Sequence, residues 1–123
     1  MYLFLDCSQK ETVCLKLISP QDTRVFMYTG RQADVLKALH IFLLKEQIDV
    51  KDITGVAALT GEGSFTSSRL AVLCANVFHF VQKIPVISVT SMDVLEYREL
   101  TTCFAHASNG YALATYTGLP NIS

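Results

Sequence analysis

Hydrophobic and polar residues alternate along much of the first 30 residues of the chain. Val13, Leu15 and Leu17 lie on one side of such a segment, with polar or smaller residues between them. A period of two is typical of a strand that buries one face. Pro20 and Gly30 mark polar breaks between the segments. The pattern predicts a meander of three antiparallel strands over Tyr2–Leu5, Thr12–Leu17 and Arg24–Tyr28.

The apolar period lengthens after Gly30. From Val35 to Leu43 the apolar residues recur at steps of three and four, which is the period of an amphipathic helix. We therefore predict a helix over Arg31–Gln47.

Short apolar strands and helical segments alternate in the rest of the chain. Strands are predicted over Ile53–Leu59 and Val86–Val89, with a helix over Ser67–Gln82 between them. Ser91 is a suitable N-cap for a third helix that ends at about Ala107, and Tyr111–Thr117 resembles a closing strand.

This order of elements predicts the fold class. An antiparallel meander followed by crossover units gives an α/β domain with a mixed five-stranded sheet in the order βββαβαβ, plus a C-terminal helix and strand. This order is shared by the ribonuclease H-like group and by each half of the actin-like ATPases, so we expect a half-domain of that fold. That fold alone permits a nuclease, a nucleotide-binding half-domain or a noncatalytic relative.

Length and composition narrow the class of protein. The chain has 123 residues, of which 50% are hydrophobic, so we expect one domain spanning residues 1–123. Ten lysines and arginines face eleven acids without a block of either sign, and we expect no strong direct binding to nucleic acid. Without a long apolar run or a leader-like segment, we expect a soluble cytoplasmic protein that does not enter a membrane.

The spacing of cysteines and histidines favours no metal site. Cys7, Cys14, Cys74 and Cys103 form no CxxC pair, and the three histidines form no HxxH pair. We expect reduced and mostly buried thiols, with no metal and no cofactor.

A glycine turn precedes the second predicted helix. Its candidate contact residues for an anion or a partner are Gly61, Gly63, Ser64, Phe65 and Thr66. Glycines allow close backbone approach, and amides at a helix start favour anions. However, neither GxGxxG nor GxxxxGK[ST] is present, so a purely structural turn stays open as the alternative.

The helix predicted over Ser67–Gln82 carries two apolar stripes, and both need cover. The stripe that we expect to face the sheet consists of Leu70, Leu73, Val77 and Val81. The stripe that we expect to form a partner interface consists of Ala71, Cys74, Ala75 and Phe78. Its small side chains allow close helix approach, so we predict a homodimer or heterodimer through helices 31–47 and 67–82. Cover by the first helix alone is the alternative.

Nuclease activity is the alternative function. A ribonuclease H-like nuclease holds two magnesium ions between converging carboxylates. Its candidates here are Asp6, Asp34, Glu62 and Asp93.

Several segments together resemble one bacterial family. They are GSFT at residues 63–66, Arg69-Leu70, IPV at 84–86 and VTS at 89–91. In this order they resemble the signature GPGSFTGxRxG…IPVxGVSSL of the TsaB (YeaZ) family. The opening Phe4-Leu5-Asp6-Cys7-Ser8 is similar to that family's LAIDTS.

The resemblance implies a function without catalysis. TsaB-like proteins are noncatalytic relatives of the glycoprotease-like subunit TsaD, which they bind and stabilise while the ATPase TsaE docks on the pair. This complex makes the threonylcarbamoyl modification of adenosine in tRNA. The resemblance therefore implies a scaffold subunit whose partners are a TsaD-like subunit and a TsaE-like ATPase.

The chain departs from the family pattern at three places. Glu62 replaces the proline of GPGSFTG and Ser67 replaces its last glycine. Arg31-Gln32 stands where members have a His-Thr or His-Ser pair. Typical members have two tandem half-domains, and we expect this chain to hold only the first of them.

Overall fold

A five-stranded mixed sheet forms the centre of the molecule. The computed structural model describes residues 1–31, 34–60, 65–90 and 96–106, without the side chains of residues 65–68 and 106. The strands lie in the order β3-β2-β1-β4-β5. They are β1 (Tyr2–Asp6), β2 (Thr12–Ile18), β3 (Thr23–Thr29), β4 (Gly55–Leu59) and β5 (Val86–Val89).

Strand β1 lies at the middle of the sheet and joins its two halves. It pairs antiparallel with β2, where Leu5 lies opposite Leu15, and parallel with β4, where Leu5 lies opposite Ala58. Strands β2 and β3 pair antiparallel, and β4 and β5 pair parallel. The predicted meander and the predicted crossover unit are both confirmed.

Three helices complete the described fold: α1 (Val35–Glu46), α2 (Phe65–Gln82) and α3 (Tyr97–His106). The first helix ends at Gln47, which has φ of 58° and whose N–H bonds to the Leu44 carbonyl at 3.2 Å. That turn leads into a short 3₁₀ segment, Val50–Asp52. Helix α3 begins at Tyr97, and Glu96 precedes it outside the helix, so the helix starts later than the predicted start at Ser91. The predicted closing strand Tyr111–Thr117 lies outside the described residues.

Helices α1 and α2 cover one face of the sheet. Alternate residues of the strands, such as Leu3, Leu5 and Leu15, meet Phe42 of α1 and Phe78 of α2 in one buried cluster. Because successive side chains of a strand point to opposite faces of the sheet, this cluster contains every second side chain of a strand such as β1.

Helix α3 packs on the opposite face of the sheet. The ring of Tyr2 stacks on that of Tyr97 with centroids 4.8 Å apart, and its hydroxyl lies 2.8 Å from Oγ1 of Thr101. Leu100 and Phe104 fill a second buried cluster that includes Phe4 of β1. The sheet is therefore covered on both faces, by two helices on one side and one on the other.

Candidate functional site: an apolar surface on the two-helix layer

The predicted glycine turn falls mostly outside the described part of the chain. Residues 61–64, with Gly61, Gly63 and Ser64, are not described, and Phe65 and Thr66 open helix α2 without described side chains. Just before the turn, the N–H of Thr60 donates to the carbonyl of Val89 at 2.8 Å. This bond joins the carboxyl ends of β4 and β5. The role of the glycine turn in contacting an anion or a partner stays a prediction.

The two stripes of α2 face in the directions opposite to those predicted. Ala71, Cys74, Ala75 and Phe78 are buried against the sheet, and Phe78 is only 6% exposed. The stripe expected to face the sheet points outward instead: Leu73 is 63% exposed, Val77 and Val81 are exposed, and Leu70 is partly exposed. The assignment of the sheet-facing stripe to Leu70, Leu73, Val77 and Val81 was therefore wrong.

Side-chain size explains the reversal. Helix α2 packs chiefly on β4, whose inward side chains include the small Ala58. Ala71 and Ala75 let the helix backbone approach that strand closely, which larger side chains would prevent. The small side chains that suggested close packing against a partner helix instead allow close packing against the chain's own sheet.

Large apolar side chains consequently remain on the outside of the helix layer. Phe80 is 67% exposed, and similar exposure is found at residues on both helices. We name this patch the α1–α2 surface; its members are Leu36 and Leu44 of α1 and Leu73, Val77, Phe80 and Val81 of α2. Despite this apolar character, none of the helices described is long and apolar enough to cross a membrane.

A shallow apolar groove joins the two helices within this surface. Its volume is about 160 Å³, and its walls include Leu36 and Leu39 of α1, Val77 and Val81 of α2, and Val50. Because residues four apart on a helix lie on one face, Leu73, Val77 and Val81 form a ridge beside the groove. A ridge with an adjoining groove is the shape that packs against another helix.

None of the six members of the α1–α2 surface was predicted to face outward. Leu73, Val77 and Val81 were assigned to the sheet, and the sequence interpretation gave no surface role to the other three, which are Leu36, Leu44 and Phe80. The available signal was the number of apolar residues in each helix. Helix α1 has apolar residues at Leu36, Ile41 and Leu44 in addition to its core-facing stripe. An apolar residue outside the core-facing stripe of a helix is the observation that could have located this surface.

Of the four carboxylates proposed for the alternative nuclease function, the structure describes only Asp6 and Asp34. Asp6 is buried at the carboxyl end of β1, where it accepts hydrogen bonds from the N–H of Ser8 at 2.8 Å and from its hydroxyl at 2.5 Å. Asp34 precedes α1 and pairs with Arg31 at 3.5 Å. Glu62 and Asp93 lie outside the described residues. Among the residues that the structure describes, no three metal-ligating side chains form a group.

Three of the four cysteines are buried, as the sequence predicted, whereas Cys103 is exposed. Burial raises the pKa of Cys7 to about 12, with the Asp6 carboxylate and Cys14 adding to the effect. Burial likewise raises the pKa of Cys74 to about 12, with a contribution from Cys7. These thiols therefore stay protonated at neutral pH and are poor nucleophiles.

The mixed five-stranded sheet with helices on both faces is that of an actin-like or ribonuclease H-like half-domain, as predicted. Among solved structures, the chain is similar to "YeaZ from Pseudomonas aeruginosa", with a TM-score of 0.65 and 22% identity over 81% of this chain and 51% of that one. A second similar structure is described as "an uncharacterized protein with similarity to peptidase YEAZ from Pseudomonas aeruginosa". It gives a TM-score of 0.64 and 21% identity over 75% of this chain and 44% of that chain.

These comparisons confirm the resemblance to YeaZ at the level of the fold. The chain spans about half the length of the YeaZ structure that it matches. No protein-family model matches the sequence, and no curated protein matches it significantly.

Proposed function

We propose that this chain is a TsaB-like, noncatalytic docking subunit that binds a TsaD-type catalytic subunit in the threonylcarbamoylation of tRNA. The similarity in fold to YeaZ supports this assignment. So does the resemblance of the segments GSFT, IPV and VTS to the TsaB signature, in which the same segments follow one another in the same order along the chain.

The observation that carries the proposal is the α1–α2 surface. Phe80, Val81 and Leu73 are each more than 60% exposed, although scattered single apolar side chains are the norm on a protein surface. Here they share one face of helix α2, and Val81, together with Val77, lines a groove shared with α1. Exposed apolar side chains gathered on one face beside a groove are typical of protein–protein contact sites.

The shape of the surface supports a helical partner. Positions 73, 77, 80 and 81 follow the spacing i, i+4, i+7 and i+8, which is one face of a helix. A partner helix that inserts a side chain into the groove beside Val77 would cover Leu36 and Val81 together.

Contacts at the carboxyl end of β1 support the noncatalytic part of the proposal. Both the N–H and the hydroxyl of Ser8 donate to the Asp6 carboxylate. The hairpin from Cys7 to Thr12 has no glycine, so it lacks the glycine-rich backbone that commonly approaches a phosphate closely.

Binding to a purified TsaD-type subunit tests the proposal. We expect the wild-type chain to bind, and Val81→Asp to weaken binding by at least about tenfold because a charge would replace an apolar contact at the interface. Val25→Asp is the matched control, since Val25 is equally an exposed valine, at 54%, but lies on β3. Circular dichroism would verify that both variants fold.

A threonylcarbamoylation assay with the TsaD-type subunit, the TsaE-type ATPase and the carbamoyl-adenylate donor enzyme provides the functional readout. Activity that depends on the wild-type chain and is lost with Val81→Asp would support the proposal. A wild-type chain that neither binds nor supports activity would contradict it.

A further inference from the structure

Strand β3 forms one edge of the sheet. It stands at the end of the strand order, and in the part of the chain that the structure describes no strand pairs with its other side. All seven of its residues pair with β2 in unbroken register, so the strand carries no bulge. Its sequence, TRVFMYT, contains no lysine and no proline. Natural proteins protect exposed edges with such residues or with bulges, and β3 has neither.

Half of the backbone groups of β3 point away from β2. The N–H of Ser19 donates to the carbonyl of Asp22 at 2.9 Å, and the N–H of Gly30 donates to the carbonyl of Glu11 at 3.0 Å. Asp22 and Gly30, which flank β3, therefore direct these groups toward β2. Because the direction alternates along an antiparallel strand, positions 23, 25, 27 and 29 direct their N–H and C=O groups outward at the open edge.

The side chains at the same positions are exposed. Val25 is 54% exposed and Met27 is 53% exposed. The intervening Phe26 faces α1, where its ring stacks on that of Phe42 with centroids 5.2 Å apart. Since successive side chains alternate between the faces of a sheet, Val25 and Met27 lie on the face opposite to α1. An exposed edge strand with apolar side chains is a template for pairing with another chain.

The sequence of β3 is suited to pairing with a second copy of itself. An antiparallel register centred on Phe26 pairs all seven residues and brings the outward backbone groups of both copies opposite one another. In that register Thr23 lies opposite Thr29 of the second copy, and Val25 lies opposite its Met27. Cross-strand pairs of threonines and of apolar side chains stabilise antiparallel sheets.

Neither charge nor the helix layer obstructs this pairing. Arg24 is the one charged residue of β3, and it already pairs with Glu46 at 3.2 Å and with Asp22 at 3.6 Å. Helix α1 packs on β2. The β2 strands of the two copies would lie three strand spacings, about 14 Å, apart. Packed helices need only about 8–10 Å between their axes, so both copies of α1 fit on one face.

From this edge we infer that two copies of the chain associate through antiparallel pairing of their β3 strands, which joins the two five-stranded sheets into one. Such an association is two-fold symmetric, because the same surface of each copy meets the other. Main-chain hydrogen bonds supply its affinity, and the facing side chains supply its specificity. The association goes beyond the proposed function and does not depend on it, because the α1–α2 surface lies on the helices and not at the sheet edge.

Sedimentation equilibrium of the full chain over a range of concentrations tests this inference. We expect the wild-type chain to dimerise, and Val25→Asp to raise the Kd of the dimer at least about tenfold, because a carboxylate would lie opposite the apolar Met27 of the second copy. Val81→Asp is the matched control, since Val81 is also an exposed valine but lies on α2. We expect it to dimerise like the wild-type chain. Met27→Lys provides a second disrupting variant at an independent position.

Residue-resolved amide exchange adds a readout that is specific to the edge. As the protein concentration rises, the outward N–H groups at positions 25 and 27 should exchange more slowly. Those at positions 24, 26 and 28, which already face β2, should not change.

The outcomes separate this inference from the proposed function. A wild-type chain that stays monomeric would overturn the inference, as would a dimer that Val81→Asp dissociates and Val25→Asp does not. Slow exchange at positions 25 and 27 at every concentration would also overturn it, because the edge would then be covered within one chain. Dimerisation through β3 by a chain that does not bind the TsaD-type subunit would contradict the proposed function alone.

Discussion

At the scale of single residues, a glycine in the sheet lies in close contact with an aromatic ring of a helix. Gly55 begins β4, and the ring of Phe104 from α3 lies directly over it. A Cβ added at Gly55 would lie 2.8 Å from Cζ and 2.9 Å from two further ring atoms of Phe104. The absence of a side chain at Gly55 thus makes room for the aromatic anchor of α3.

We predict that Gly55→Ala lowers the free energy of unfolding by about 1–3 kcal/mol, because the added methyl overpacks a buried ring. Urea unfolding would measure the loss. Gly30→Ala is the control. Its Cβ would lie 2.6 Å from the ring of Tyr28, which is only partly buried; because such a ring has solvent on one side into which it can shift, we expect a loss under about 1 kcal/mol. Equal losses in both variants would contradict the argument from burial.

At the scale of elements, the periods of the sequence predicted the type and order of the described strands and helices, although α1 begins at Val35 and not at Arg31. The predicted strand over Val86–Val89 has the observed bounds, and Thr12–Leu17 differs from β2 by one residue. Alternation and helical periodicity are local properties, so they can be recognised in the sequence without knowledge of the fold. The orientation of α2 could not be recognised in this way, because two apolar stripes satisfy the helical period equally well and only contact with β4 determines which of them is buried.

Helix α3 gives a direct test of this distinction between a buried and an exposed apolar stripe. Leu100 of α3 is 1% exposed, whereas Leu73 of α2 is largely exposed. We predict that Leu100→Ala costs about 2–5 kcal/mol through loss of burial and a residual cavity, and that Leu73→Ala changes stability by less than about 0.5 kcal/mol. Thermal and urea unfolding of the two variants would compare them. A comparable loss for Leu73→Ala would show that the outer stripe is covered within the chain.

At the scale of the whole molecule, buried thiols link stability to pH. The ordinary cysteine pKa is 9.0, and burial raises that of Cys7 and of Cys74 to about 12. The folded chain therefore holds these protons at pH values where the unfolded chain has released them. The resulting stabilisation is fully present below pH 9, and it is lost as the pH rises from 9 to about 12.

We predict that the free energy of unfolding falls between pH 9.0 and about 12. The double variant Cys7→Ala/Cys74→Ala should show a shallower fall, because two of the titrating groups are removed. Cys103→Ala is the control, since that cysteine is exposed. Part of the slope should remain, because burial also raises the pKa of Cys14 and of Tyr2. An unchanged slope in the double variant would contradict the prediction.

The sequence by itself determined the type and order of the described elements, the burial of three cysteines and the resemblance to YeaZ. These follow from local periodicity and from short motifs, which do not require knowledge of contacts. Only the tertiary structure decided that Ala71 and Ala75 face the sheet, that Leu73 and Phe80 face outward, and that Glu46 is paired with Arg24. Those outcomes depend on which surfaces meet, because burial and charge pairing are properties of neighbours brought together by folding and not of spacing along the chain.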